Sequence, residues 1–295
     1  PGGKGDNPLA NLIARQNELV QDRLNGNAYL EIKPVENLTA RINGGVEIAH
    51  YFTGKYLPRS TYQGGIDNGV ASTIDFSSTR KLIDATVTYA NTFNEVHAVS
   101  VMAGYAYEKT TPIFKSVGVK GFSTDHYGFN RLDAASTITG VRSTKTENLL
   151  ISFFGRLNYT YNDKYLFTFT LRRDGSSRFG EDHRWGYFPS GAFAWRMDKE
   201  EFIRNLNLFS TLKLRAGYGL TGNDQIGSYA SYALMANTHL TFDGSTNTAG
   251  THINQGTPEN PNLKWETTAQ YNIGLDMGFF NSRLMVTVDG YYKKT

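Results

Sequence analysis

LTARINGGVEIAH, residues 38–50, alternates strictly between apolar or small and polar side chains. Leu38, Ala40, Ile42, Gly44, Val46 and Ile48 fall on one face, with Thr39, Arg41, Asn43, Gly45 and Glu47 on the other. A period of two describes an extended strand whose faces meet different surroundings. The run exceeds the roughly 5–6 residues of an average globular strand. It satisfies the roughly 9–11 residues that a tilted strand needs to cross a bilayer.

Working outward from this stretch, the same rhythm recurs. At 149–161, Leu149, Ile151, Phe153, Gly155, Leu157, Tyr159 and Tyr161 oppose Ser152, Phe154, Arg156, Asn158 and Thr160; at 267–277, Ala269, Tyr271, Ile273, Leu275 and Met277 oppose Thr268, Gln270, Asn272, Gly274 and Asp276. This reading predicts ten strands, at 24–34, 38–50, 79–91, 96–108, 147–161, 165–175, 185–197, 208–219, 265–277 and 284–294. Phe153 is expected outward near mid-strand, and Asn158 on the polar side. The connectors alternate as well. Pro34–Asn37, Thr92–Glu95, Asn162–Lys164 and Gly278–Arg283 are short and built of turn formers. The segments 51–78, 109–146 and 220–264 are long and rich in Gly, Ser, Thr, Asn and Tyr. Short turns at one end and long loops at the other are the signature of an antiparallel outer-membrane β-barrel. The fold class expected is all-β.

Composition agrees. Charged residues are 19% of 295, below the roughly 25% of soluble domains. The chain holds 30 Gly, 18 Tyr and 18 Phe, which suits strands facing lipid on one side and a lumen on the other. A net charge of +3 without clustered Lys and Arg gives no nucleic-acid footprint. With no cysteine, disulfides and thiolate metal sites are excluded. A mean hydropathy of −0.42 is no obstacle to a membrane role, because a strand barrel carries its apolar residues in alternation. The sequence opens Pro1-Gly2-Gly3, and its last strand pattern, with Tyr291, Tyr292 and Lys293, runs to Thr295. It is read as a piece of a longer barrel domain, with unpaired terminal strands that would not be viable alone in hydrocarbon or water.

Four blocks carry a family resemblance: RDGSSRFG at 173–180 with RWGYFPS at 184–190, LKLRAGYGLTGN at 212–223, NPNLKWE at 260–266 and NIGLDMGFFNSRL at 272–284. The ending DGYYKKT at 289–295 is similar too, while the first half matches only in style, as in NAYLEIKP at 27–34. As an ordered set they resemble the middle of the barrel of SusC/RagA-type TonB-dependent outer-membrane transporters. The resemblance implies a barrel of about 22 strands with a plugged lumen, and import of glycan or peptide oligomers energised through TonB. It further implies a SusD-like lipoprotein partner, outer-membrane lipid around the wall, and no enzymatic role or cofactor. The N-terminal plug, the TonB-contacting segment and the barrel's C-terminal end are expected to lie outside this stretch.

The same residues have readings of their own. Arg172, Arg173, Asp174, Arg178, Glu181, Asp182 and Arg184 crowd one connector around the turn dipeptide Asp174-Gly175. Asp174, Arg178 and Asp182 are candidates for a charged rim that orients substrate; the alternative is a salt-bridged loop that holds two strands. Trp185, Tyr187 and Phe188 at a strand start, and Tyr159, Tyr161 and Tyr165 around a tight turn, suit interfacial girdles. Trp185 is also a candidate for carbohydrate stacking. In the longest loop, Tyr229, Tyr232, His239 and Phe242, with Asn247, Asn254 and Gln255, suit a neutral oligosaccharide or peptide rather than an anion, which would call for Arg clusters. The alternative is packing against neighbouring loops or a lid.

Other motifs lead nowhere chemically. Gly217-Tyr218-Gly219-Leu220-Thr221-Gly222 matches a dinucleotide fingerprint, but no helical period follows to hold a pyrophosphate; the glycines are expected to permit bends at a rim. The histidines at 50, 97, 126, 183, 239 and 252 lack ligand spacing, and Ser190 in Pro-Ser-Gly is no nucleophile elbow. Two local helices are expected. One starts at Asp198 and Glu201 as a capping box, and the other spans Leu9, Leu12, Ile13, Gln16, Leu19 and Val20. The competing functions are a passive porin and a secreted β-rich carbohydrate-binding protein, set apart by an upstream plug and by a need for detergent.

Overall fold

The computed structural model describes residues 8–241 and 249–295. After a short helix α1 (Pro8–Ala14) come strands β1 (Gln16–Val35), β2 (Leu38–Leu57), β3 (Val70–Phe93), β4 (His97–Phe122) and β5 (Ala135–Lys145), with helix α2 (Tyr62–Ile66) between β2 and β3. The second half adds β6 (Asn148–Tyr161), β7 (Tyr165–Ser176), β8 (Trp185–Arg196), helix α3 (Glu201–Arg204) and β9 (Thr211–Asn223). The last strands are β10 (Leu234–Thr241), β11 (Ala249–Thr257), β12 (Glu266–Phe279) and β13 (Leu284–Lys294). One sheet runs β1-β2-β3-β4-β6-β7-β8-β9-β12-β13, with β5 added to β4; β10 and β11 pair apart from it. The pairings from β6 through β13 are antiparallel between sequence neighbours, with β12 beside β9.

All ten expected strands are present. The expected connectors, however, are shorter than the sequence reading made them. β2, β3 and β4 continue well past positions 50, 79 and 108, β1 begins at Gln16 rather than 24, β5 occupies part of 109–146, and a β10–β11 hairpin occupies part of 220–264. Helix α1 ends at Ala14, so Gln16, Leu19 and Val20 belong to a strand. Nor does a capping box form at Asp198. The N-cap of α3 is Glu200 without a side-chain bond, while Asp198 pairs with Arg196 at 3.3 Å and accepts from the Leu212 N–H.

The chain forms two compact units. One comprises residues up to Ala28, Gly45–Lys81 and Lys109–Glu147; the other comprises Tyr29–Gly44, Leu82–Glu108 and the chain from Asn148 onward. The first unit has its own core of Tyr56, Ala71, Val119, Phe122 and Phe129. Tyr56 meets Phe122 edge to face at 5.3 Å, and its hydroxyl donates to Asp125 at 2.6 Å. Gly69 turns there at φ +86°, beside the Tyr56 hydroxyl, where a side chain would be strained.

In the second unit the short turns follow from their sequence. Asn162 and Asp163 sit at φ 50° and 52°, and the Lys164 N–H closes on the Tyr161 carbonyl at 2.9 Å. Two left-handed residues make the mirror-image turn that matches strand twist. Asn94 and Glu95 repeat it at 50° and 62°.

Strand register sorts the side chains into two faces. Across β6, β7 and β8, the triplets Tyr161–Tyr165–Trp195, Tyr159–Phe167–Phe193, Leu157–Phe169–Gly191 and Phe153–Arg173–Tyr187 lie side by side. They continue through Ala216 and Tyr218 of β9 to Ile273 and Tyr271 of β12. The opposite face carries Asn158–Thr168–Ala192, Arg156–Thr170–Ser190 and Ser152–Asp174. There the Thr168 hydroxyl donates to Asn158 at 3.0 Å and Arg156 to Thr170 at 3.2 Å. Phe153 is on the apolar face near the middle of β6, as expected, opposite Arg173 toward the far end of β7. Leu157 and Phe169 form the row about midway between the Tyr161–Tyr165 turn and the Gly175–Trp185 pair.

Candidate functional site

Three groups of side chains in the second unit have chemistry to offer. The first gathers the connector after β7. Arg172 Nε donates to both oxygens of buried Asp174 at 2.7 and 2.8 Å, and its Nη2 donates to Ser152 at 2.8 Å. Two residues on, the Ser176 hydroxyl donates to Asp224 at 2.8 Å. Arg178 Nη1 donates to the carbonyls of Asp224 and Ile226 at 3.2 and 2.9 Å, and Ser231 donates back to the Arg178 carbonyl. Beneath them, Phe179, Phe188 and Trp265 form a buried aromatic cluster flanked by Leu150, Ile226 and Leu263. Trp265 donates its indole N–H to the Arg184 carbonyl at 3.1 Å. Gly222 lies against the Phe188 ring, where a Cβ would collide. The glycine run thus ends as packing space for an aromatic ring within a strand continuing to Asn223, and no helix follows to serve a nucleotide.

Asp174 is held by Arg172 of its own strand, while Arg178 and Ser176 fasten the β9–β10 connector to the β7–β8 connector. Asp182 stands exposed in the one-turn helix Glu181–His183. Tyr229 and Tyr232 are exposed on the connector that Arg178 holds. His239 lies in β10, its side chain outside the described residues, and Phe242 lies outside them altogether. Trp185 is not with this group. Register puts it on the apolar face, where Arg173 sits 4.3 Å over its ring and Phe153 lies 6.2 Å away. A strand-end position opposite Gly175 decides this, since alternation turns residue 185 away from Phe188.

The second group was not anticipated. On the polar face, Arg215 grips Asp276 with Nε and Nη2 at 2.8 and 2.9 Å, and Nη2 also reaches Asp289 at 2.9 Å. The Thr287 hydroxyl adds a bond to Asp276 at 3.1 Å. Residues 215, 276 and 289 are 74 positions apart end to end, so only register joins them. Alternation already placed Asp276 on the polar side of its strand, and the pairing of β12 with β9 and β13 was the missing link to Arg215 and Asp289. The third group is at the short turns. Glu200 accepts from Tyr165 at 2.7 Å, Lys164 at 3.0 Å and Trp195 at 3.2 Å. The Tyr165 hydroxyl first, then the Lys164 ammonium and the Trp195 N–H, hold its carboxyl below the usual range.

Among the described residues no group of His, Asp and Glu is arranged to hold a metal. What the polar face offers is a surface of fixed charges, hydroxyls and amides, suited to contact with a polar chain or with another protein layer.

A family model described as "TonB dependent receptor-like, beta-barrel" matches residues 2–295. TonB-dependent receptor P26 of Formosa agariphila is 32% identical over 299 residues, covering 100% of this chain and 30% of that protein. TonB-dependent receptor SusC of Bacteroides thetaiotaomicron is 45% identical over 155 residues, 51% of this chain and 15% of SusC. A solved structure of the RagAB peptide transporter superposes with a TM-score of 0.83 at 28% identity, covering 95% of this chain and 30% of the matched chain. The chain therefore spans a third or less of the length of these relatives.

Proposed function

Because this chain belongs to the TonB-dependent receptor-like β-barrel family, a family of outer-membrane receptors and transporters, we propose that it forms the middle of the wall of an active importer. The whole barrel would take up oligomers of sugar or peptide, drawing energy through TonB and working beneath a SusD-like lipoprotein. The plug and the strands that complete the barrel would lie elsewhere in the full protein. The single observation that carries this reading is the division of the sheet into an apolar face and a polar face carrying Arg215, Asp276 and Asp289. Such a wall separates lipid from a wet lumen.

Recognition is proposed for the β10–β11 hairpin together with the connector that leads into it, clamped by Arg178, where exposed Tyr229 and Tyr232 offer flat rings and hydroxyls for stacking on a neutral oligomer. Removing 237–255 from the full-length protein takes away most of the β10–β11 hairpin, which is paired apart from the main sheet, and should abolish uptake while the barrel still inserts. Uptake of a labelled oligosaccharide or peptide by intact cells, with and without TonB, tests the reading. Uptake that persists without TonB indicates a passive porin, and unchanged uptake in the deletion moves recognition to the rim near Asp182.

A further inference from the structure

Arg173, on the lipid-facing side, pairs with no anion among the described residues. Arg173 lies in register between Phe153 and Tyr187, among residues that face lipid in an outer-membrane barrel. Its guanidinium stacks 4.3 Å over Trp185 and 5.4 Å over Tyr187. Its Nε is shielded from solvent yet has no hydrogen-bond partner among the described residues. An arginine can extend its head toward water from such a place, but here two rings hold it flat against the wall. A shielded donor left unmade costs free energy, and a planar guanidinium matches the oxygens of a phosphate.

Position along the wall supplies the second observation. Arg173 stands near the long-connector end, eight residues from Tyr165 at the short-turn end. At about 3.4 Å per residue and a tilt of about 40°, that span is about 21 Å across the membrane, close to the roughly 25 Å apolar band of such barrels. Arg173 therefore sits at headgroup depth on the outer side. Directly below it, the missing side chain of Gly191 leaves an apolar groove walled by Phe167, Phe169, Phe193, Tyr218 and Ile273. From Tyr187 to Gly191 is four residues, about 13 Å, the reach from a headgroup to the upper part of its chain.

We propose that Arg173, framed by Trp185 and Tyr187, binds the phosphate of a phosphorylated outer-leaflet lipid, and that the Gly191 groove receives one of its acyl chains. The site rests on the membrane-facing side of the wall and is independent of what the lumen carries. Its test uses the full-length protein in uncharged detergent, with bound lipid counted by native mass spectrometry. The probes are short-chain phosphatidic acid, the matching diacylglycerol and inorganic phosphate. The wild type should hold phosphatidic acid at least about tenfold more tightly than diacylglycerol, the worth of a charge-assisted pair, and equal inorganic phosphate should not displace it. Arg173→Gln should remove that preference, and Arg173→Lys should keep part of it. Gly191→Leu should weaken phosphatidic acid binding while leaving the barrel folded, since a Cβ there meets only the Thr168 carbonyl at 3.9 Å. Equal binding by Arg173→Gln and wild type would overturn the proposal, as would displacement by inorganic phosphate alone. Unchanged binding by Gly191→Leu would overturn the acyl half.

Discussion

Arg215 on β9 reaches diagonally, past its register partner Gly274, to Asp276 on β12, with two hydrogen bonds of 2.8 and 2.9 Å. The fork fits a carboxylate as no ammonium can. Arg215 also holds Asp289, so one cation joins two carboxylates from β12 and β13 on the polar face. Arg215→Leu would leave both carboxylates without their cation. Heat unfolding of the full-length barrel, followed by gel mobility, should occur at lower temperature in this variant, and Arg215→Lys should recover only part of the loss. An unchanged profile would mean that water in the lumen replaces the pair.

Leu157 marks the middle of the apolar face and Asn158 its polar neighbour. Arginine at a lipid-facing midplane costs about 2–4 kcal/mol. Leu157→Arg should therefore reduce outer-membrane assembly, Asn158→Arg should assemble normally, and Phe153→Arg, nearer the headgroups, should be intermediate. Membrane-fraction levels of the three variants check the order.

Phe179 is fully buried between Trp265 and the β9–β10 connector. Truncating a buried aromatic costs about 3–5 kcal/mol where the site cannot collapse. The loss here should be local, because the cluster fastens connectors rather than strands. Phe179→Ala should expose residues 224–265 to protease in intact cells while barrel assembly persists. Cleavage no faster than wild type would contradict this.

Glu200 titrates with its carboxyl held low by Tyr165, Lys164 and Trp195. A depressed carboxylate contributes stability above its ordinary pKa and loses it as pH falls through the lower, folded value. Glu200→Gln should lower the unfolding temperature at neutral pH, and the gap to wild type should close as the solution is acidified below the usual carboxylate range. A gap that is constant with pH would show that charge plays no part.

Much of the wall was legible in sequence because each face of its strands meets a single environment. Residues 149–161 and 267–277 announced their strands and their faces by alternation alone. The parts that were not legible have two causes. β5, ASTITGVRSTK, is exposed along most of its length; with no buried face, period-two hydrophobicity vanishes while the backbone pairing remains, and the segment reads as loop. The extensions of β2, β3 and β4 are instead half-buried or buried along most of their length, around Tyr56, Ala71, Val119 and Phe122, so they too lack a clean alternation of apolar and polar residues. The rim residues were legible in part. Charge and turn chemistry at 172–184 identified the connector, but whether Arg178 faces substrate or the Ile226 carbonyl depends on contacts 48 positions away. Trp185 and Phe188 read alike as strand-end aromatics, and only register sent one to the apolar face and the other to the Trp265 cluster.

The central claim is that this chain is barrel wall, with one face in lipid and the other in water. The sequence has no cysteine, so single cysteines can be placed along β7 in a cysteine-free version of the full-length protein. Labelling in intact outer membranes with a water-soluble, membrane-impermeant maleimide reads each position's surroundings. Cysteines at 168 and 170 should react, and those at 167, 169 and 171 should be protected until detergent removes the lipid. Equal labelling of odd and even positions, or protection of 168 and 170 instead, would contradict the account.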